Sequence, residues 1–199
     1  MIDSLLHYFS LGGFYIMTPI FLCSVFSIAI ILEKLLTLRT SLVLNPQLIG
    51  KIKRSLAAGN IDEAARFCQE KNTPMTRIIL AGLETGGETA RNRIMDTGKL
   101  EALRLQRYLT TLGTIANISP LFGLLGTVSG MIKVFFTIQH QGLGQAQAMA
   151  GGISEALVTT AFGLIVAIPA LAAHNYFEAK AQKLVTHMEK HASDVAGML

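Results

Sequence analysis

The sequence predicts an all-α membrane protein with three transmembrane helices and long cytoplasmic helical extensions. Three observations carry that fold class. Of the 199 residues, 51% are AVILMFWYC and only 15% are DEKR, where a soluble domain carries about 25% charged residues. No Asp, Glu, Lys or Arg falls within 4–32, 108–132 or 156–177, and each gap exceeds the roughly 20 residues that cross a bilayer core. The basic residues crowd between Glu33 and Arg107 and return after Phe177 as Lys180, Lys183 and Lys190. This composition excludes a disordered chain, a collagen and a disulfide-stapled secreted module.

Charge sets the expected topology. Residues 1–13 and 137–154 contain no Lys or Arg, and Lys133 alone breaks the alternation. The positive-inside rule then gives an N-terminus outside (1–13), a first span at 14–32 and a cytoplasmic helical domain at 33–108. A second span at 109–136, an outer loop at 137–154, a third span at 155–177 and a cytoplasmic tail at 178–199 complete the order. The net charge of +4 needs no nucleic-acid partner, because topology and attraction to anionic membrane lipid account for it. The first span has no basic residues ahead of it and no A-x-A site behind it, so it reads as retained rather than as a signal peptide. Cys23 falls in that span and Cys68 in the charged region, so both are expected as free thiols.

Within the first span Pro19 sits in the outer turns, where a missing helical hydrogen bond costs least. In the charged region Asn45-Pro46 starts a helix, Gly59-Asn60 ends it, Asp62 starts another, and Lys71-Asn72-Thr73-Pro74 closes that. From about Glu88 to Arg107 the pattern Ile94, Leu100, Leu103 among charges predicts an amphipathic helix. No Gly or Pro separates Lys99 from Leu112, so this helix is expected to run straight into the second span. The third span is likewise expected to continue through Glu178 to about Glu189.

The second and third spans carry polar and small residues that a lipid-facing helix does not need. Thr110, Thr114, Asn117, Leu121, Leu124 and Thr127 follow at steps of three or four and so share one helix face. Gly113, Gly123, Gly126 and Gly130 allow close packing, with Gly126 and Gly130 forming a GxxxG pair. The third span adds Glu155, Thr159, Thr160, Gly163, Ala167, Pro169, Ala170 and His174. Polar residues at membrane depth face a bundle interior or a water-filled path. Three helices cannot wall a pore, so the polar seam predicts a closed ring of identical subunits with the first span towards lipid.

Helical rise places Glu155 about 35 Å from Glu178, Thr160 about 27 Å from it, and Thr127 about 30 Å from Arg107. Antiparallel helices thus bring the threonines to similar depth in the outer half, just below the carboxylate. Thr159 lies on the face of Glu155, while Thr160 is turned from it by about 140°; one is expected to face the pore and the other the subunit seam. The bland reading of Glu155 is an acid favoured by a helix N-terminus. Lys133 either reaches the outer headgroups or pairs with Glu155 of a neighbouring copy.

Rival chemistry finds little support. Gly126-Thr-Val-Ser129-Gly is not G-x-S-x-G, H-E-x-x-H is absent, and the glycines lack G-K-[ST]. His187 and His191 have metal-ligand spacing without a third ligand in view, and Asn117-Ile-Ser119 matches the glycosylation pattern inside a span. No enzyme activity, metal or cofactor is expected. A structural membrane scaffold is the remaining alternative; it would tolerate Glu155→Gln or Thr160→Val.

Ser119-Pro-Leu-Phe-Gly-Leu-Leu-Gly-Thr-Val-Ser-Gly-Met131 and Gly151-Gly-Ile-Ser-Glu-Ala-Leu-Val-Thr-Thr-Ala-Phe-Gly-Leu-Ile-Val-Ala-Ile-Pro-Ala170 resemble the two signature helices of the MotA/TolQ/ExbB proton-channel family. Topology and loop sizes agree over nearly the whole chain, and the ExbB branch is the most similar. The resemblance implies a pentamer in a bacterial inner membrane, its second and third spans lining a central pore. That pore would hold the single helices of an ExbD-like partner bearing the proton-accepting aspartate. The assembly would use the proton-motive force, with protons as coupling ion, to drive a TonB-like protein for outer-membrane import of siderophores, haem or cobalamin. A TolQ-like envelope-maintenance motor is the alternative branch. Thr127, Glu155 and Thr160 match the family's polar, acidic and threonine positions. With Thr159, Asn117 and Thr114 they form the expected ion pathway, and Gly126, Gly130 and Gly163 the expected packing positions. This chain offers no second buried carboxylate, so it is not expected to be a complete motor alone.

Overall fold

The computed structural model describes residues 13–142 and 146–198. The expected outer N-terminus up to residue 12, positions 143–145 of the expected loop and Leu199 of the tail lie outside the described residues. Every regular element among the described residues is helical. Three of them are long and apolar enough to cross a membrane, at Phe14–Thr37, within Thr89–His140 and within Ala146–Ala196. The chain divides into two compact units. One comprises the chain up to Leu32 with Tyr108–Asn175, and the other Glu33–Arg107 with Tyr176–Leu199.

The apolar unit contains most of α1 (Phe14–Thr37), all of α7 (Leu109–Gln141) and α8 (Ala146–Ala196) as far as Asn175. Proline lies inside each of these helices, as Pro19, Pro120 and Pro169. Met17, Ile20, Cys23 and Ser27 bury one side of α1, at steps of three and four. α7 and α8 run antiparallel, since contacts advance along one as they retreat along the other: Gly113 with His174, Gly123 with Thr160, Gly126 with Thr159, Gly130 with Ala156 and Gly152. Small residues at each crossing let the backbones approach, as helix association in lipid requires.

The charged unit is built from short helices. These are α2 (Thr40–Val43), α3 (Pro46–Ala57), α4 (Ile61–Glu70), α5 (Pro74–Leu83) and α6 (Gly87–Gln106), joined by the end of α1 and by α8 from Tyr176. The expected start at Asn45-Pro46 holds for a physical reason, and the stretch expected only to close α4 also starts α5. The Asn45 side chain accepts from the Leu48 amide at 3.4 Å, with Pro46 at the first position of α3. Thr73 and Thr76 exchange hydrogen bonds as a capping box ahead of α5. The core gathers Ile49, Ile52, Ala64, Met75, Ile78, Ile79 and Ile94. α8 adds Phe177, Ala181, Leu184, Met188, Ala192 and Val195.

Four expectations need correction. The helix through 99–112 is interrupted: α6 ends at Gln106, and Tyr108 takes the left-handed conformation at φ 64° before α7 begins. The change of hand is made by a tyrosine, although glycine usually fills that region. The buried stripe of α6 is Ala90, Ile94, Glu101 and Leu105, while Leu100 and Leu103 are exposed. Glu101 is held inside by two arginines: Arg77 donates Nε and Nη2 to its two oxygens at 2.9 and 2.6 Å, and Arg104 donates at 2.6 Å. Finally, much of the expected 137–154 loop is helical, because α7 reaches Gln141 and α8 starts at Ala146. α8 also outruns its expected end near Glu189 and continues to Ala196.

Candidate ion pathway

The open face of α7 is polar along half its length. Thr110, Thr114 and Asn117 are exposed, as are Leu121 and Leu124 on the same face, and Thr127 is half-buried. The hydroxyl groups of this face are tied to their own helix: Thr114 donates to the Thr110 carbonyl at 3.0 Å and Thr127 to the Leu124 carbonyl at 2.7 Å. Asn117 stands exposed on the same open face. The opposite face, with Gly113, Ala116, Ser119, Gly123, Gly126 and Gly130, is buried.

Thr159 and Thr160 both turn towards α7, at different angles. Thr159 is fully buried and fills the space that Gly126 leaves, its hydroxyl donating to the Glu155 and Ala156 carbonyls at 3.0 and 2.9 Å. Thr160 is half-buried and its hydroxyl crosses the helix pair to the Gly123 carbonyl at 3.1 Å. Gly130 and Gly163 are equally tight. A Cβ at Gly130 would stand 2.6 Å from the Gly152 carbonyl oxygen, and one at Gly163 would stand 2.7 Å from that of Ser119.

Glu155 is the tenth residue of α8, which starts at Ala146, so it lies beyond the first turn where a helix N-terminus favours an acid. Its carboxylate takes Lys133 Nζ at 2.6 and 2.8 Å. The pair is therefore made within one chain, which neither sequence-based alternative for Lys133 anticipated. Gly13, at the start of α1 with φ 74°, lies so close that any side chain there would run into the Glu155 carboxylate.

Residues 70–190 match the MotA/TolQ/ExbB proton channel family. The chain belongs to this family. It is 34% identical over 177 residues to an ExbB-like biopolymer transport protein of Synechocystis, covering 84% of this chain and 82% of that one. The ExbB biopolymer transport protein of Xanthomonas campestris is 31% identical over 159 residues, 69% of this chain and 63% of the relative. That of Neisseria gonorrhoeae is 28% identical over 155 residues, 68% and 70%. This member of the MotA/TolQ/ExbB family is thus an ExbB-like, membrane-embedded proton channel protein, in a family of channels rather than of enzymes.

Two contributors escaped the sequence reading. Ser119 is fully buried, its hydroxyl donating to the Ile115 carbonyl at 2.7 Å, and Gly152 meets Val134 and Gly130. Aligning the small residues of the two spans head to tail would have paired Gly130 with Gly152. In the histidine pair on α8, His191 is met by a lysine. Lys53 Nζ stands 3.3 Å from His191 Nδ1, and no cluster of three His, Cys, Asp or Glu side chains that could hold a metal occurs among the described residues.

Proposed function

We propose that this chain is the ring-forming, ExbB-type subunit of a proton-driven motor in a bacterial inner membrane. Five copies surround a pore lined by α7 and α8, with α1 towards lipid. The N-terminus is periplasmic, and the charged helices and tail are cytoplasmic. The pore takes the single-span helices of an ExbD-like partner, whose aspartate accepts the proton. The work is delivered to a TonB-like protein for import of siderophores, haem or cobalamin through outer-membrane receptors.

The observation that carries this reading is the open face from Thr110 through Asn117 to Leu124, which the chain's own packing leaves exposed, with Thr127 half-buried at its end. The Thr114 and Thr127 hydroxyls donate within their own helix, but an exposed amide such as Asn117 on a helix apolar enough to span a bilayer needs protein or water against it. In this scheme Thr114, Asn117, Thr127 and Thr160 solvate the proton beside the partner's aspartate, and Glu155 stands at the mouth. Gly126, Gly130 and Gly163 keep α7 and α8 close, and Thr159 joins the pathway through the wall it forms with Gly126. Each charge that crosses supplies about 2.3 kcal/mol per 100 mV.

The test is siderophore-dependent growth under iron limitation, in a strain lacking the gene and complemented with the wild type or Thr160→Val at matched membrane levels. Growth restored by the wild type alone is expected. Normal growth without the gene would sink the iron-uptake role; detergent sensitivity of that strain would then indicate the TolQ-like branch. Native mass spectrometry showing a stable monomer or dimer would overturn the pentamer.

A further inference from the structure

Lys133 and Glu155 are the two Asp, Glu, Lys or Arg side chains among the described residues of the apolar unit, and they are bound to each other. The contact is bidentate, with one ammonium reaching both carboxylate oxygens at 2.6 and 2.8 Å. Glu155 is only 13% exposed, whereas Lys133, at 56%, reaches in from the open side. Gly13 closes the third side, and the N-terminal turn of α1 that it begins carries the partial positive charge that suits a carboxylate.

We infer that Lys133 is a specificity-determining residue: a tethered counter-ion that occupies Glu155 and so keeps small metal cations, sodium above all, out of the pathway. This rests on the proposed place of Glu155 at the channel mouth. An uncompensated carboxylate in a low-dielectric cleft concentrates whatever small cation the solution offers. An ammonium carried on the same chain competes at an effective concentration that free sodium does not match. A proton passing between hydroxyls and water has no need of that carboxylate as a cation trap, so compensation suppresses sodium without closing the proton route. Lys133 touches Glu155 and not the transported ion, so it acts as a positioning group.

The experiment uses the full chain, co-purified with its single-span partner and reconstituted in liposomes. Proton uptake is read by an internal pH dye and sodium uptake by radiotracer. The wild type should carry protons and exclude sodium. Lys133→Met should raise sodium entry by about tenfold or more. Lys133→Arg should stay sodium-tight, as should the double variant Lys133→Met with Glu155→Gln, which removes the bare carboxylate. Should Lys133→Met not assemble, the exchanged pair Lys133→Glu with Glu155→Lys decides, and it should exclude sodium. A Lys133→Met protein that carries protons yet remains as sodium-tight as the wild type overturns the inference alone, as does sodium entry through the exchanged pair. A wild type that passes neither ion overturns the channel reading and this inference with it.

Discussion

Thr159 occupies the hollow that Gly126 creates. The threonine has no exposed surface, and any side chain on the glycine would collide with it. Gly126→Ala should therefore lower the thermal stability of the detergent-solubilised protein by about 1–3 kcal/mol. Thr159→Ala in the same chain should recover part of that loss. A full double-mutant cycle measures the coupling, and strictly additive effects would show that the two residues do not meet.

Glu101 is the second position where one side chain decides local stability. It is 2% exposed and anchored by Arg77, whose guanidinium is held protonated above its usual value by the hydrogen bonds to Glu101. Arg77→Met should destabilise by up to about 3–5 kcal/mol, because it leaves a buried carboxylate with Arg104 as its one remaining arginine. Arg104→Ala, removing a largely exposed partner, should cost under about 1 kcal/mol. Denaturant or thermal melts followed by helical signal distinguish them.

Acid should loosen the contact between α3 and the end of α8. Lys53 reaches Asp194 at 2.6 Å and His191 at 3.3 Å. Burial first, and then the Lys53 charge, hold His191 below its usual 6.5. The unfolded chain thus binds this proton more readily than the folded one, so stability rises with pH across the window from the folded value up to 6.5. The carboxyl of Asp194, lowered by its hydrogen bond to Lys53, adds a loss in the same direction below 3.8. Stability measured between pH 7 and 5 should fall in the wild type and fall less in His191→Asn. Equal slopes would remove His191 from the account.

Cys68 should resist alkylation. Its thiol is 3% exposed, and burial pushes its pKa up to about 11, leaving little thiolate near neutral pH. Iodoacetamide at pH 7.5 should label it only when denaturant opens the charged unit. Rapid labelling of the folded protein would contradict the burial.

The three apolar runs and the helix starts at Asn45-Pro46 and beyond Gly59-Asn60 were legible because each rests on a local signal, whether length without charge, a capping side chain or a helix breaker. The helix break at Tyr108 was not, since no Gly or Pro marks it and a tyrosine with positive φ leaves no trace in composition. Periodicity misassigned α6 by weighing Leu100 and Leu103 as core and Glu101 as surface. Only the arrival of Arg77 from α5 makes a buried carboxylate tolerable, and that is a tertiary fact. The same holds at the candidate site. Helical spacing put Thr114, Asn117 and Thr127 on one face. It could not say that Lys133 folds back on its own chain's Glu155, because that depends on the register of two antiparallel helices.

That register has a consequence for biosynthesis. Lys133 leaves the ribosome 22 residues ahead of Glu155, with the last residues of α7 and the first of α8 synthesised between them. Each charge delivered singly to the middle of a nascent membrane helix would cost about 2.5–3.5 kcal/mol on an insertion scale, less near the interface. Delivered as a hairpin, the two arrive already neutralised. The helices are thus expected to enter the bilayer together, and a ribosome stalled between them should leave α7 less firmly integrated than the finished pair. Gly13, synthesised first, can settle on Glu155 only after the chain has been made as far as the start of α8.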